Sequence, residues 1–146
     1  MKTQNFGFYK VGCGVPRIKV ANPTYNAGEI VKLMAQAKEA GCSLLVTPEL
    51  SLSGATCGDL FYQRSLLNAC EEALETILEA SKESSMIPVV GLPVANGGKL
   101  YNCAAVMQDG KLLGLTPKEV LSARDACFTS VPCLGEANHD AFFQGE

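Results

Sequence analysis

Two residues combine a reactive type with a telling position. Glu49 closes the apolar run Leu44, Leu45, Val46, Thr47, Pro48, and Lys118 follows Thr116 and Pro117. A carboxylate at a strand end of an α/β sheet faces the cleft, where partial removal from water lets it exchange a proton near neutrality. That is the profile of a general base. A lysine at a strand exit can hold its ammonium over a developing oxyanion. Taken singly, each also fits a plainer role, an acid opening a turn and a surface lysine. The one histidine, His139, lies in the C-terminal stretch, so a Ser-His-Asp or Cys-His arrangement in the body of the chain is excluded. Acyl transfer here has to proceed without imidazole.

Other reactive types carry less. The cysteines, at positions 13, 42, 57, 70, 103, 127 and 133, are odd in number and irregular in spacing, with no C-x-x-C pair for zinc or thioredoxin-like chemistry. They read as small buried hydrophobes in a reducing compartment. No metal site is expected. "VGCGVP" lacks the third glycine and the helix start of a dinucleotide fingerprint, and "NGGK" reads as a turn between strands rather than a phosphate loop.

The elements that would position Glu49 and Lys118 are legible as periods. "FGFYKVGC", residues 6–13, reads as a first strand. A helix follows, with Asn26 as N-cap, Glu29 three residues on, a stripe of Ile30, Val31, Leu33, Met34 and Ala37, and Gly41 as the stop. "SLLVTP", residues 43–48, reads as a strand buried on both faces. Leu66, Leu67, Cys70, Leu74, Ile77, Leu78 and Ser81 then recur at helical spacing. "MIPVVGLPV" is a further buried strand, and "LYNCAAVMQ" and "KLLGLTP" flank Asp109-Gly110 as a hairpin. The order implies an α/β layered fold with its helices on one sheet face. Beyond Lys118 the period dissolves, and residues 122–146 read as an irregular tail.

Composition bounds the partners. With 146 residues, 47% of them hydrophobic, the chain is long enough for one domain with a core and too short for two. A net charge of −3 without a basic run gives a nucleic-acid backbone nothing to bind. No apolar stretch reaches membrane-spanning length and no secretory leader is visible, so no membrane partner and a cytoplasmic location are expected.

Four segments carry a likeness when taken together and in order. They are "FGFYKVGCGVPRIKVANPTYNAGEI", "TPELSLSGATCGDLFYQRSLL", "VVGLPVANGGKLYNCAAVMQDGKLLG" and "LTPKEVL". The set resembles the nitrilase, or carbon-nitrogen hydrolase, superfamily, and the run Gly54 to Phe61 looks like the version in glutamine-dependent NAD+ synthetases. Several spaced motifs in one order are far more specific than any one alone.

The resemblance implies a four-layer αββα sandwich, of which this chain would supply the N-terminal part. It also implies a Glu-Lys-Cys triad, with Glu49 as general base and Lys118 stabilising the tetrahedral intermediate. The implied substrate is glutamine, whose ammonia passes to a separate synthetase domain that makes NAD+ from deamido-NAD. ATP and magnesium would belong to that domain, and no cofactor to this segment. The likeness runs to about Leu121, which puts an incomplete hydrolase domain at 1–121 and a divergent tail at 122–146. Cys127 and Cys133 follow Lys118 too soon and outside the family's C-E-D-x-W context, so the nucleophile is expected beyond this chain and the isolated chain is expected to be inactive. A truncated product, a gene fragment and a reading-frame shift all fit the break. A half sandwich would expose apolar surface, so a homo-oligomer is expected. A stand-alone amidase or nitrilase and a non-catalytic association module are the alternatives.

Overall fold

The computed structural model describes residues 7–82 and 84–130. Phe6, Cys133, His139, Phe142 and Phe143 lie outside those residues. Seven regular elements follow in the order β1 (Val11–Cys13), α1 (Pro23–Glu39), β2 (Leu44–Val46), α2 (Arg64–Ser81), β3 (Ile87–Asn96), β4 (Lys99–Gln108) and β5 (Lys111–Pro117). The strands form one sheet in the order β1-β2-β3-β4-β5. The first two pairings are parallel and the last two antiparallel. The two crossovers step the same way along the sheet, and α1 and α2 pack together on one face of it. The expected mixed α/β architecture is what the chain adopts, here as a helix layer on a sheet.

Every second residue of the central strands meets that helix layer. Leu45, Val90, Leu92, Cys103, Ala105 and Met107 are buried there with Ile30 and Met34 of α1 and Cys70 and Ile77 of α2. The alternate positions Val46, Val89, Ala104 and Val106 face the other way and are only half-buried. The residues around Glu49 are therefore not a strand buried on both faces, as the continuous apolar run suggested. Leu45 is buried, whereas its neighbours Leu44 and Val46 keep partial contact with solvent.

The first helix starts earlier than the capping-box pattern implied. Asn22 is the N-cap, accepting a hydrogen bond from Tyr25 N–H at 3.1 Å, and Pro23 opens the helix. Proline at the first helical position gives up no needed donor and brings the required φ, and this outweighed the Asn26/Glu29 spacing. Asn26 is instead buried inside α1. Its amide donates to Lys19 O at 2.8 Å and Leu52 O at 2.9 Å, and its Oδ1 accepts from Lys19 N at 2.7 Å. It thus ties the loop before α1 to the segment that follows Glu49. Gly41, just past the C-cap Ala40, takes the left-handed conformation expected of the stop.

The β4–β5 hairpin decides where Lys118 lies. Asp109 and Gly110 both adopt positive φ, 49° and 74°, as a tight two-residue turn requires. Near the turn Met107 pairs with Leu112, but further on Val106 pairs with Gly114, so Leu113 is an extra, unpaired residue. Side chains alternate with period two, so one inserted residue exchanges the faces of everything beyond it. Cys103 then pairs with Pro117, and the ladder continues one step further as Lys118 N–H donates to Asn102 O at 2.7 Å. Lys118 lands beside Asn102, on the face away from the helices.

Residues 122–130 contain only one short 3-10 turn, Ala123–Asp125, yet they dock on the body. Phe128 is buried against Phe61, with ring centroids 5.1 Å apart, and Thr129 N–H donates to Leu100 O at 2.7 Å. The lack of period that marked this stretch as a tail is real, but aromatic packing replaces period as the anchor.

Deleting Leu113 is expected to return the hairpin to a single register with every pair from Val106–Gly114 onward unchanged, so Lys118 stays beside Asn102 on the Glu49 face. A structure or NOE set of the deletion variant in which Lys118 turns to the helix layer would contradict this account of the bulge.

Candidate functional site

Glu49 is presented by a short outward excursion between two stretches paired to β3. Thr47 N–H donates to Val89 O at 3.0 Å, and pairing resumes when Leu52 N–H donates to Gly91 O at 3.0 Å. Pro48, Glu49 and Leu50 bridge the gap. The Thr47 and Ser51 hydroxyls meet at 2.8 Å across its base. Leu50 takes φ 53°, a left-handed conformation that costs a leucine about 1–2 kcal/mol. It is held there by burial of its side chain and by Gly54 N–H donating to Leu50 O at 2.7 Å. Strain next to a reactive side chain, maintained by its surroundings, is typical of functional sites.

The excursion rides directly on Gly91. A Cβ at that position would sit 2.5 Å from Leu50 N and 2.7 Å from Pro48 O, closer than any side chain can come to backbone. Glycine in the middle of a strand is unfavourable for the strand, and here it makes room for a second backbone.

Three side chains gather at Glu49. Lys118 Nζ donates to Glu49 Oε1 at 2.8 Å, and Asn102 Nδ2 donates to the same oxygen. Lys118 Nζ also donates to Asp125 Oδ2 at 3.1 Å. Asp125 Oδ2 further accepts from Ser122 N–H and from Ser122 Oγ, each at 2.8 Å, in a reciprocal capping turn. Hydrogen bonding to Glu49, then to Asp125, holds the Lys118 ammonium above the usual lysine range. Hydrogen bonds from the Ser122 backbone and hydroxyl, ahead of Lys118, hold the Asp125 carboxyl below its usual 3.8. Lys118 is therefore a fixed cation across the physiological range, a donor and not an acid-base group.

The group stands at a cavity of about 280 Å³, walled by Val46, Val89, Gly91, Ala104 and Thr116 on the sheet face away from the helices. Apolar walls with a few convergent polar groups suit a small organic substrate. An acid and an ammonium in contact can take a proton and stabilise an oxyanion, and what such a site lacks is a nucleophile. Of the described cysteines, Cys103 borders the cavity, but its side chain belongs to the helix-side core, where burial pushes the thiol up to about 12, so it stays protonated and inert. The Cys127 thiol is likewise pushed up by burial and does not line the cavity. No group of three or more His, Cys, Asp and Glu among the described residues could hold a metal ion.

Glu49 and Lys118, named from the sequence as candidates 69 residues apart, are thus in direct contact. Sequence reading did not single out Asn102, Gly91 or Asp125. For Asp125 a signal existed, since Ser122-Ala-Arg-Asp125 has the serine-to-acid spacing of a capping box. Asn102 and Gly91 had none, because each matters only through a segment far away in sequence.

The five-stranded sheet covered by helices on one face is a nitrilase-like mixed α/β layer. The chain belongs to the carbon-nitrogen hydrolase family, whose model matches residues 10–130. It is 34% identical over 115 residues to the glutamine-dependent NAD(+) synthetase of Mycobacterium tuberculosis H37Rv, covering 79% of this chain and 17% of that protein. It is 35% identical over 96 residues to the synthetase of Aquifex aeolicus, covering 66% and 17%. Among solved structures, the glutamine-dependent NAD(+) synthetase of Cytophaga hutchinsonii superposes with a TM-score of 0.75 at 25% identity, over 85% of this chain and 22% of that one. An amidase from Nesterenkonia sp. shares the fold, with a TM-score of 0.71 at 22% identity over 84% of this chain and 48% of its own. The chain therefore spans about 17% of the length of the synthetase it matches in M. tuberculosis. No helix of the described residues is long and apolar enough to cross a membrane.

Gly91→Ala is expected to displace the Pro48–Leu50 backbone, costing at least about 1–3 kcal/mol of stability and separating Glu49 from Lys118. Denaturant unfolding and a structure of the variant check both. Because Asp125 sits below its ordinary value, its stabilising contribution is complete above pH 3.8 and is lost as pH falls through the lower folded-state value. Amide protection of residues 122–130 should then fall in strong acid before that of α2. Equal loss in both would mean that the Ser122-Asp125-Lys118 contacts do not hold the segment.

Proposed function

We propose that this chain carries the acid and the lysine of a glutamine-hydrolysing site, the ammonia-supplying part of a glutamine-dependent NAD+ synthetase. The observation that carries this reading is the contact between Lys118 Nζ and Glu49 Oε1 at 2.8 Å beside the cavity, in a chain 34% identical over 115 residues to such a synthetase. Glu49 is the general base and Lys118 the oxyanion donor. A cysteine supplied from outside the described residues gives its proton to Glu49 and attacks the carboxamide carbon. The resulting oxyanion is stabilised by the Lys118 ammonium. Collapse expels ammonia, which takes the proton back from Glu49, and leaves a thioester. Water then loses a proton to Glu49, attacks the thioester and releases glutamate, and the proton returns to the thiolate.

Lys118 suits its part because it keeps its charge throughout, anchored on its far side by Asp125. Released ammonia serves a synthetase domain that uses ATP and magnesium to convert deamido-NAD to NAD+, so the partners of this chain are glutamine and that domain. The overall reaction is a ligase reaction in the cytoplasm, and the half-buried sheet face favours a homo-oligomer. A stand-alone amidase is the weaker reading, since the Nesterenkonia amidase shares the fold at only 22% identity.

The isolated chain is expected to release no ammonia from glutamine in a glutamate-dehydrogenase-coupled assay. Release that disappears on Cys127→Ala or Cys133→Ala would place the nucleophile inside the chain and overturn that expectation. The positive test is a chimera in which residues 7–121 replace the matching segment of the M. tuberculosis synthetase. Glu49→Gln and Lys118→Met should each lower its glutamine-dependent kcat/KM by about 10²–10⁴-fold. A chimera indifferent to both substitutions would refute the assignment.

A further inference from the structure

Both donors that reach Glu49, Lys118 Nζ and Asn102 Nδ2, take the same oxygen, Oε1. No donor among the described residues takes Oε2. Asn102 is 4% exposed, so its amide has no water to exchange for a lost partner, and leaving it unpaired would cost roughly 1–3 kcal/mol. Its orientation is also fixed by chemistry: an ionised carboxylate only accepts, so the amide nitrogen, not Oδ1, must face Glu49. Meanwhile its main-chain carbonyl accepts the Lys118 N–H at 2.7 Å. One residue therefore holds the lysine through its backbone and the acid through its side chain.

We propose that Asn102 is a positioning residue that divides the labour of the Glu49 carboxylate: it and Lys118 occupy Oε1, and Oε2 is left as the oxygen that exchanges protons with thiol and water. Without Asn102 the carboxylate plane could turn about its terminal bond, and neither oxygen would be held in a fixed direction. A torsion of that kind is broad and soft, so one donor constrains it poorly and two on one oxygen define it. Lys118 cannot supply the second constraint, because its ammonium is shared with Asp125 on a flexible stem. The inference rests on the proposed function for the proton exchange at Oε2, whereas the Asn102–Glu49–Lys118 geometry does not depend on it.

The test uses the full chain and three variants, with the side-chain amide of Asn102 followed by 15N-edited NMR. The wild-type signal should show one downfield, slowly exchanging proton whose position changes between neutral pH and acid. That change should vanish in Glu49→Gln, which cannot ionise, and the downfield proton should vanish in Glu49→Ala. An isosteric Asn102→Asp replaces the donor by an acceptor without touching the main-chain bond to Lys118, so its amide spectrum should stay native outside residues 47–52 and 118. In the chimera, Asn102→Asp and Asn102→Ala should each lower kcat about tenfold or more with KM within about twofold, the pattern of a misoriented base. An Asn102 amide indifferent to pH and to Glu49 would overturn the inference while leaving the Glu49-dependence of the chimera untouched. A chimera independent of Glu49, with the amide signature intact, would instead remove the proposed function and leave the geometry.

Discussion

The constraint on which the rest depends is that a carboxylate and an ammonium 69 residues apart must meet on one face of one sheet. Their mutual attraction does not achieve this. The side chains of Lys118 and Glu49 are 35% and 49% exposed, and ion pairs so open to water contribute little after screening and lost side-chain freedom. The backbone has to do it. The excursion of residues 48–50 over Gly91 sets Glu49, and the phase of β5 after its bulge sets Lys118. The ion pair is a consequence of that register and reports on it.

The two faces of the sheet divide the work. The helix side is built from aliphatic side chains and small cysteines, and it carries the packing that makes the chain fold. The other side keeps half-buried residues such as Val46, Val89, Ala104 and Val106, and the cavity lies against them. Because side chains alternate along a strand, neighbouring residues can serve opposite purposes. Asn102 meets Glu49 while Cys103 next to it is sealed in the core with its proton retained. A single-residue slip would exchange those roles, which is why the bulge at Leu113 matters more than its exposed position suggests.

Polar residues inside the body act mainly as fasteners between distant loops. Asn26 satisfies its amide on Lys19 and Leu52, so α1 grips the segment that carries Glu49 from its far end. Asp125 grips Lys118 from the other end, and Phe128 packed on Phe61 holds that turn in place. No buried side-chain nitrogen or oxygen of the described residues lacks a partner. A network so fully satisfied can specify one geometry, whereas a partly satisfied one would weaken it.

By itself the sequence determined the order of strands and helices, the hairpin at Asp109-Gly110, the stop at Gly41 and the pair Glu49 and Lys118 as candidates. Those signals are local, since periodicity, turn chemistry and the end of an apolar run are written within a dozen residues. It misleads at Asn26, where a valid capping pattern loses to Asn22-Pro23, and at residues 43–48, where a continuous apolar run does not bring burial on both faces. The likeness in sequence ends near Leu121 and the period fades beyond Lys118, yet residues 122–130 dock through contacts that leave no periodic trace. Only the tertiary structure decided that Gly91 must lack a side chain, that Asn102 faces the carboxylate and that Asp125 completes the cluster. Each of those depends on which strand lies beside which and in what register, and register is fixed by packing summed over the whole sheet, beyond the reach of any short window of sequence.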